Sequence, residues 1–333
     1  VILVGDIDRG GVFASLYGSV MLQTPEDRQR IKGIIINKFR GDLRLFEDGR
    51  RMIEELCQVP VLGVVPYLED IGVEDEDSVV LDKKQRSAKD DKVNVAVVKL
   101  RHLSNFTDFN AIEQDHRLNV YYTTEKEQLL RADIIILPGC KATIDDLRHL
   151  KEEGVADTIR EAHRQGKTIF GICGGYQMLG MSIDDPRQTE GDTIHIEGIG
   201  LLPMRTVMGE KKITCQTEFT LATNSNDMCK DGVKMRGYEI HQGISTPIDK
   251  STYKPLTIKA DGTPDGCIAD SHCMGTYLHG CLDNAAMVDF LIGKKNTESF
   301  DFAEYKEQHY NRLADHIRKH VDMAKVYDIL TRQ

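Results

Sequence analysis

The chain has 333 residues, with 53 acidic side chains against 43 basic ones, a formal charge of −10, 40% hydrophobic and 29% charged positions. At roughly 150 residues per domain this amounts to about two globular domains with ample surface to bury. No window approaches the ~18 continuous apolar residues of a membrane span, and an acidic chain without basic stripes is a poor partner for nucleic acid or anionic lipid.

In chain order, the first 70 residues alternate strand and helix patterns. Val1–Val4 is a β-branched run ending at Gly5-Asp6, Ile34–Ile36 ends at Asn37-Lys38, and Val61–Val65 ends at Pro66, with Glu-, Arg- and Leu-rich helical stretches between them. Apolar runs without alternation, separated by helices, predict a buried parallel sheet with crossover connections. Ligands of such sheets sit beyond the carboxyl ends of the strands, where Asp6, Asn37 and Pro66 fall. From Glu69 to Lys92 dense charge and few large apolar residues predict a linker, dividing the chain into residues 1–88 and 89–333. A second α/β series follows. Strands are predicted at Val93–Lys99, Leu118–Thr123, Ile134–Leu137 and Thr168–Gly171, and helices near Asn110–Asp115, Thr143–Glu153 and Val155–Gln165. Residues 190–278 read as more β-like, with runs such as Thr193–Ile196 and Tyr238–Ile240. Ala303–Leu330 is amphipathic and predicted helical.

The most informative segment is Thr168-Ile-Phe-Gly-Ile-Cys-Gly-Gly-Tyr-Gln-Met-Leu-Gly180. An apolar strand runs into a glycine-flanked cysteine and a helix pattern follows at once, the arrangement of a nucleophile elbow with sulfur in place of a serine oxygen. Gly171, Gly174 and Gly175 are expected to let the backbone turn sharply. The Cys173 thiol would stand at a helix N-terminus that favours its thiolate, and the Gly174 amide would face a developing oxyanion. Such a nucleophile needs a base. His279, ending the short apolar run Gly275–Leu278 and followed by Gly280, is favoured over His241 in Gly237–Gly243. The strand Ile134–Leu137 closes on Pro138-Gly139, placing a backbone amide near Gly139 as a second oxyanion donor. His272, Cys273, His279 and Cys281 crowd together, but their spacing fits no familiar structural zinc site, and no metal is assigned to them. Eight cysteines without a CxxC pair suit reduced thiols and a cytoplasmic setting.

Strand–Pro-Gly, GICGGYQMLG and GTYLHG, in this order, resemble the class I (triad) glutamine amidotransferases. Within them the chain is most similar to the cobalamin-pathway branch. The supporting stretches are VGDIDRGGVFASLYG at 4–18, GIIINKFRGD at 33–42, VPVLGVVPYL at 59–68, EDEDSV at 74–79, LSNFTDFNAIEQD at 103–115, GYEIHQG at 237–243 and GTYLHG at 275–280. The resemblance implies an α/β architecture: a partial P-loop-NTPase-like (dethiobiotin-synthetase-like) parallel sheet, then a flavodoxin-like amidotransferase domain. It implies amidation of the b, d, e and g carboxylates of the corrinoid adenosylcobyrinic acid a,c-diamide, using glutamine, ATP and Mg²⁺ and no prosthetic group. The NFTDFNA stretch favours that acceptor over that of the a,c-diamide synthases. By position Cys173 would form a glutamyl thioester, His279 would act as base and then acid, and the amides near Gly139 and Gly174 would form the oxyanion hole. Asp6 and Asp8 would lie near Mg²⁺ or the phosphates, and Asn37 near the adenine.

Two departures matter. No GxxxxGK[ST] phosphate loop occurs; in this family it lies near the N-terminus, so the chain, which begins at Val1, is expected to be the C-terminal two-thirds of the enzyme and to bind ATP poorly alone. His279 is followed by Gly280-Cys281 rather than by the x-Glu of many triads, which leaves open what orients it; Glu239 is one candidate. A sibling enzyme (an a,c-diamide synthase or a cell-wall lipid amidase) and a catalytically silent binding module are the competing readings. The oligomeric state stays open.

Overall fold

Apolar β-branched runs form the strands on which the rest is hung. The computed structural model describes residues 1–69, 71–72, 87–222, 232–293 and 299–331. Most of the charged stretch Glu69–Lys92, the EDEDSV motif and Cys229 lie outside the described residues.

Strands β1 (Ile2–Asp6), β2 (Gly33–Phe39) and β3 (Val61–Pro66) pair in parallel in that order, with Asp6 in register with Asn37. The crossover helices Val12–Met21 and Glu47–Cys57 place Val12, Leu16, Val20, Ile53 and Cys57 against Ile34, Ile36 and Val61 on one face. The other face, with Leu62 and Val65, is covered by Ile317, Met323, Val326 and Ile329 from the helices Phe302–His320 and Met323–Thr331, and by Val321 between them. The Asp322 N–H donates to the Leu62 carbonyl at 2.8 Å, and Gly63 permits this approach, since a Cβ there would lie 2.4 Å from the His320 oxygen. Contacts thus group residues 304–333 with residues 1–73, and 74–303 as a separate unit. This differs from a division at residue 88. Amphipathicity shows that the last helices need a partner surface, but not which of two sheets provides it.

The second unit is built on strands β4 (Val93–Val98), β5 (Leu118–Thr123), β6 (Ile134–Leu137) and β7 (Thr168–Ile172). Chain order continues with β8 (Ser182–Asp184), β9 (His195–Glu197), β10 (Met204–Leu221), β11 (Met235–Pro247), β12 (Thr257–Lys259) and β13 (Pro264–Asp265). It ends with β14 (Cys267–Asp270), β15 (Cys273–Thr276) and β16 (Leu278–His279). One sheet has the order β14-β15-β7-β6-β4-β5, parallel except for β14. Its alternating residues enter two cores. Val95, Val97, Ile134, Ile136, Phe170 and Ile172 join one; Ala96, Val98, Ile135, Leu137 and Ile169 join the other. Burial of both faces is why the strands read as unbroken apolar runs rather than alternating ones. The helices Asn110–Gln114, Thr143–Glu152 and Val155–Arg164 end within a residue of their predicted limits. The β-like middle is a second sheet, dominated by the long antiparallel pair β10 and β11, with β16 along the free edge of β11. Among the described residues no helix is long and apolar enough to cross a membrane.

Candidate active site

Four adjacent strands, β15, β7, β6 and β4, run parallel, so their carboxyl ends converge on one edge of the sheet. The segments leaving those ends carry His279, Cys173, Gly139 and Asp108. The edge includes the reversal of strand order beside β4, where ligands of open α/β sheets bind.

Cys173 follows β7 directly with φ 51° and ψ −109°, a strained combination for a residue with a Cβ. The three glycines around it serve a different purpose from the one the sequence suggests: none has a positive φ. They supply space. A Cβ on Gly175 would lie 2.0 Å from the Leu137 carbonyl oxygen, one on Gly171 2.7 Å from the Tyr176 Cα, and one on Gly174 2.8 Å from the Cys140 Sγ. The helix Gly174–Leu179 therefore sits hard against β6 and β7, and the strain is carried by the cysteine itself. Gly175→Ala, meeting immovable backbone, is expected to cost more than about 3 kcal/mol and to lower Tm by well over 5 °C in a thermal melt.

His279 is brought to Cys173 by β16, whose pairing sets His279 opposite Tyr238. The Tyr238 ring stacks on the imidazole at 5.2 Å and 19°. His279 Nδ1 lies 2.7 Å from Asp108 Oδ2, and Asp108 Oδ1 accepts the Gly280 N–H at 2.9 Å; His279 and Asp108 are 1% and 2% exposed. A carboxylate can only accept, so Nδ1 carries the proton and Nε2 faces the thiol. Burial opposes the charged imidazolium, but hydrogen bonds to Asp108 and Cys173 outweigh it and push His279 up to about 10. This favours the charged imidazolium.

Asp108 is thus the group that orients His279, and Glu239 is not. The Glu239 carboxylate takes Lys259 Nζ at 3.0 and 3.1 Å. His241 is committed elsewhere too. Its Nδ1–H donates to the Gly243 carbonyl at 2.8 Å, and its ring lies flat on Tyr277 at 3.7 Å. In the sequence Asp108 stands out only as part of the distinctive NFTDFNA stretch; it lies in the turn Phe106–Phe109, ten positions past the end of β4.

Gly139 lies beside the dyad; a Cβ on it would be 2.9 Å from His279 Cε1 and 3.6 Å from Cys173 Cβ. The Ser104 N–H donates to the Gly139 carbonyl at 3.0 Å and fixes this loop. Gln177, one helical turn after the thiol, accepts from Thr143 Oγ1 and donates to the Tyr277 hydroxyl. The thiol opens into a cavity of about 450 Å³ whose lining includes Glu190, Lys141, Lys212 and Gln242. Glu190 accepts the Ile144 N–H at 3.0 Å, and burial raises its carboxyl above the usual range. The buried Asp185 accepts the Glu190 N–H at 2.8 Å and shapes the loop that delivers it. Lys212 arrives on a bulge, where residues 209–212 of β10 stand opposite Gln242 alone.

In the first unit, Asp6 and Asn37 end adjacent strands. Asp6 pairs with Lys38 Nζ at 2.8 Å, which holds its carboxyl below the ordinary range, and Asp8 pairs with Arg40 at 2.7 Å. Asn37 Oδ1 accepts the Lys38 N–H at 2.9 Å. Of the crowded His/Cys segment, His272 is exposed in a turn while Cys273 and Cys281 are buried in the core. Among the described residues no group of three or more His, Cys, Asp or Glu could hold a metal.

A thiol elbow backed by imidazole and carboxylate, over a parallel sheet, is the make-up of a glutamine amidotransferase domain. Residues 94–287 match the family model described as CobB/CobQ-like glutamine amidotransferase domain, and residues 6–79 that described as CobQ/CobB/MinD/ParA nucleotide binding domain. Over 99% of its length the chain is 52% identical to a cobyric acid synthase of Bacteroides fragilis, covering 66% of that protein. It is 42% identical to a cobyric acid synthase of Alkaliphilus metalliredigens, again over 99% of this chain and covering 69% of that one. Among solved structures, PurLQS from Thermotoga maritima aligns with 61% of this chain and 98% of its own, at 19% identity and a TM-score of 0.46. The chain belongs to the cobyric acid synthase family, an α/β protein joining a nucleotide-binding domain of this kind to a glutamine amidotransferase domain. It spans about two thirds of the length of the curated relatives it matches.

Proposed function

We propose that this chain carries the glutaminase of an enzyme that amidates the b, d, e and g carboxylates of adenosylcobyrinic acid a,c-diamide to give cobyric acid, driven by ATP and Mg²⁺. The observation that carries the reading is the placement of Cys173 and His279 on the wall of a cavity sized for an amino acid, with Asp108 hydrogen-bonded behind His279. The Cys173 sulfur attacks the side-chain amide carbon of glutamine, and the oxyanion turns toward the amides near Gly139 and Gly174. His279 Nε2 protonates the departing nitrogen, which leaves as ammonia, and a glutamyl thioester remains. His279 then takes a proton from water, which attacks the thioester and frees glutamate. Asp108 holds Nδ1–H throughout and balances the imidazolium.

The free amino-acid end of glutamine needs one anion and one cation. Glu190 meets the ammonium and Lys212 the carboxylate. Glu190→Gln should raise KM for glutamine by roughly 10- to 100-fold, the loss of one charge-assisted hydrogen bond, with kcat much less affected. Initial rates of glutamate release against glutamine concentration check this.

ATP and Mg²⁺ would supply phosphoryl activation of the acceptor carboxylate. Asp6, Asp8 and Asn37 would face them from the carboxyl ends of β1 and β2. The fit is to a phosphate-bearing ligand: Lys38 and Arg40 bring positive charge to the same edge, and each carboxylate must exchange its present cation to take a metal.

The test uses the full-length enzyme with glutamine, ATP, Mg²⁺ and adenosylcobyrinic acid a,c-diamide. Cobyric acid, with four new amides, is expected by mass spectrometry. Glutamate release without corrinoid amidation would assign the glutaminase to another acceptor, and neither product would refute the reading.

A further inference from the structure

Cys140 has no part in the chemistry above, yet it lines the same cavity as Cys173. The loops bearing the two cysteines are in close contact. A Cβ built on Gly174, next to Cys173, would lie 2.8 Å from the Cys140 sulfur, and one built on Gly139, next to Cys140, would lie 3.6 Å from Cys173 Cβ. The Cys140 sulfur makes a long contact to the Thr143 hydroxyl, at 3.8 Å. The other described cysteines, at 57, 215, 267, 273 and 281, do not line this cavity. A reactive sulfur and a second thiol thus share one open pocket.

We propose that Cys140 is the resolving thiol of a reversible oxidative modification at Cys173, which closes the glutaminase as a Cys140–Cys173 disulfide when a hydroperoxide enters the cavity. The Cys173 thiolate attacks the peroxide; an S–O bond forms, the O–O bond breaks, and the leaving oxygen takes the His279 proton. Sulfur is oxidised by two electrons and the peroxide is reduced. His279, now neutral, receives the Cys140 proton as that sulfur attacks Cys173. The S–S bond forms, the S–O bond breaks, and the departing hydroxide recovers the proton as water. The sum is two thiols and one hydroperoxide giving one disulfide, one alcohol (water, for hydrogen peroxide) and one water. Burial raises the Cys140 thiol well above its ordinary range, so Cys140 waits protonated until His279 is free. Capture as a disulfide spares Cys173 the irreversible steps to sulfinic and sulfonic acid. The proposal rests on the proposed function only for the reactivity of Cys173, and its readout needs no glutamine.

The test treats the full chain with a slight excess of hydrogen peroxide, blocks remaining thiols with iodoacetamide, and maps non-reduced tryptic peptides. The expected result is a linked pair of peptides 132–141 and 168–187, two hydrogens lighter than their sum, with loss of alkylated Cys173 that dithiothreitol restores. In Cys140→Ser the linked pair should be absent and Cys173 should accumulate as sulfinic acid. Cys173 oxidised but unlinked in the parent chain, or linked to another cysteine, would overturn the proposal and leave the glutaminase reading standing. Cys173 unoxidised and unalkylated in both proteins would overturn the proposal together with the nucleophile assignment.

Discussion

Cys173→Ala should abolish glutamate release from glutamine, a loss of at least about 10⁴-fold, because it removes the sulfur that lies beside His279 and on which the thioester is built. In the full-length enzyme the same variant should still amidate the corrinoid when high ammonia replaces glutamine, since the substitution removes the source of the nitrogen and not the activation of the acceptor. The two measurements together decide the matter. Loss of both activities would point to a collapsed elbow, and retention of glutamine use would show that the nucleophile lies elsewhere. Alanine fits the elbow sterically: Cys173 is buried, and truncation removes only the sulfur's interactions with His279 and, at 3.5 Å, with the Ile240 carbonyl. Alanine keeps the Cβ, so the strained backbone at this position is retained in the variant.

The parts of this site that could be read from the sequence are those whose chemistry is local. Strand, cysteine, paired glycines and helix all fall within residues 168–180, and the elbow is legible because its parts are neighbours. The parallel strands were legible for a similar reason: burial on both faces leaves an unbroken apolar run. Asp108 was not, because its role exists only through a contact 171 positions away. Glu239, two positions before His241, looked as suitable on paper. What excludes it is Lys259, which β12 brings to its carboxylate, and no sequence spacing encodes that encounter. The glycines show a subtler limit. Sequence composition cannot tell a glycine needed for a positive φ from one needed for a close approach, and here the latter holds for Gly171, Gly174 and Gly175. The C-terminal helices were legible as helices but not as partners of the first sheet.

Asp108→Asn should reduce glutamate release by about 10²- to 10⁴-fold while leaving glutamine KM nearly unchanged, because the side chain touches His279 and not the substrate. An amide has almost the same shape but carries no charge, and it can offer its N–H to Nδ1, which moves the histidine proton to the wrong nitrogen. The signature of a positioning role lies in pH. His279 stands near 10 in the folded chain against an ordinary value of 6.5, with Asp108 the largest of the groups that raise it. A raised folded value means that the pair stabilises the fold fully below pH 6.5 and loses that contribution as pH rises toward 10. The parent should therefore lose stability across that alkaline window, measured as Tm against pH, and Asp108→Asn should be flatter there. The alkaline limb of activity should move the same way: without the carboxylate the imidazolium gives up its proton at lower pH, so the limb shifts acidward by one or more units. A variant with lower activity but an unmoved limb would reduce Asp108 to a packing residue. An NMR titration of the His279 ring in the two proteins would give the same answer without relying on turnover.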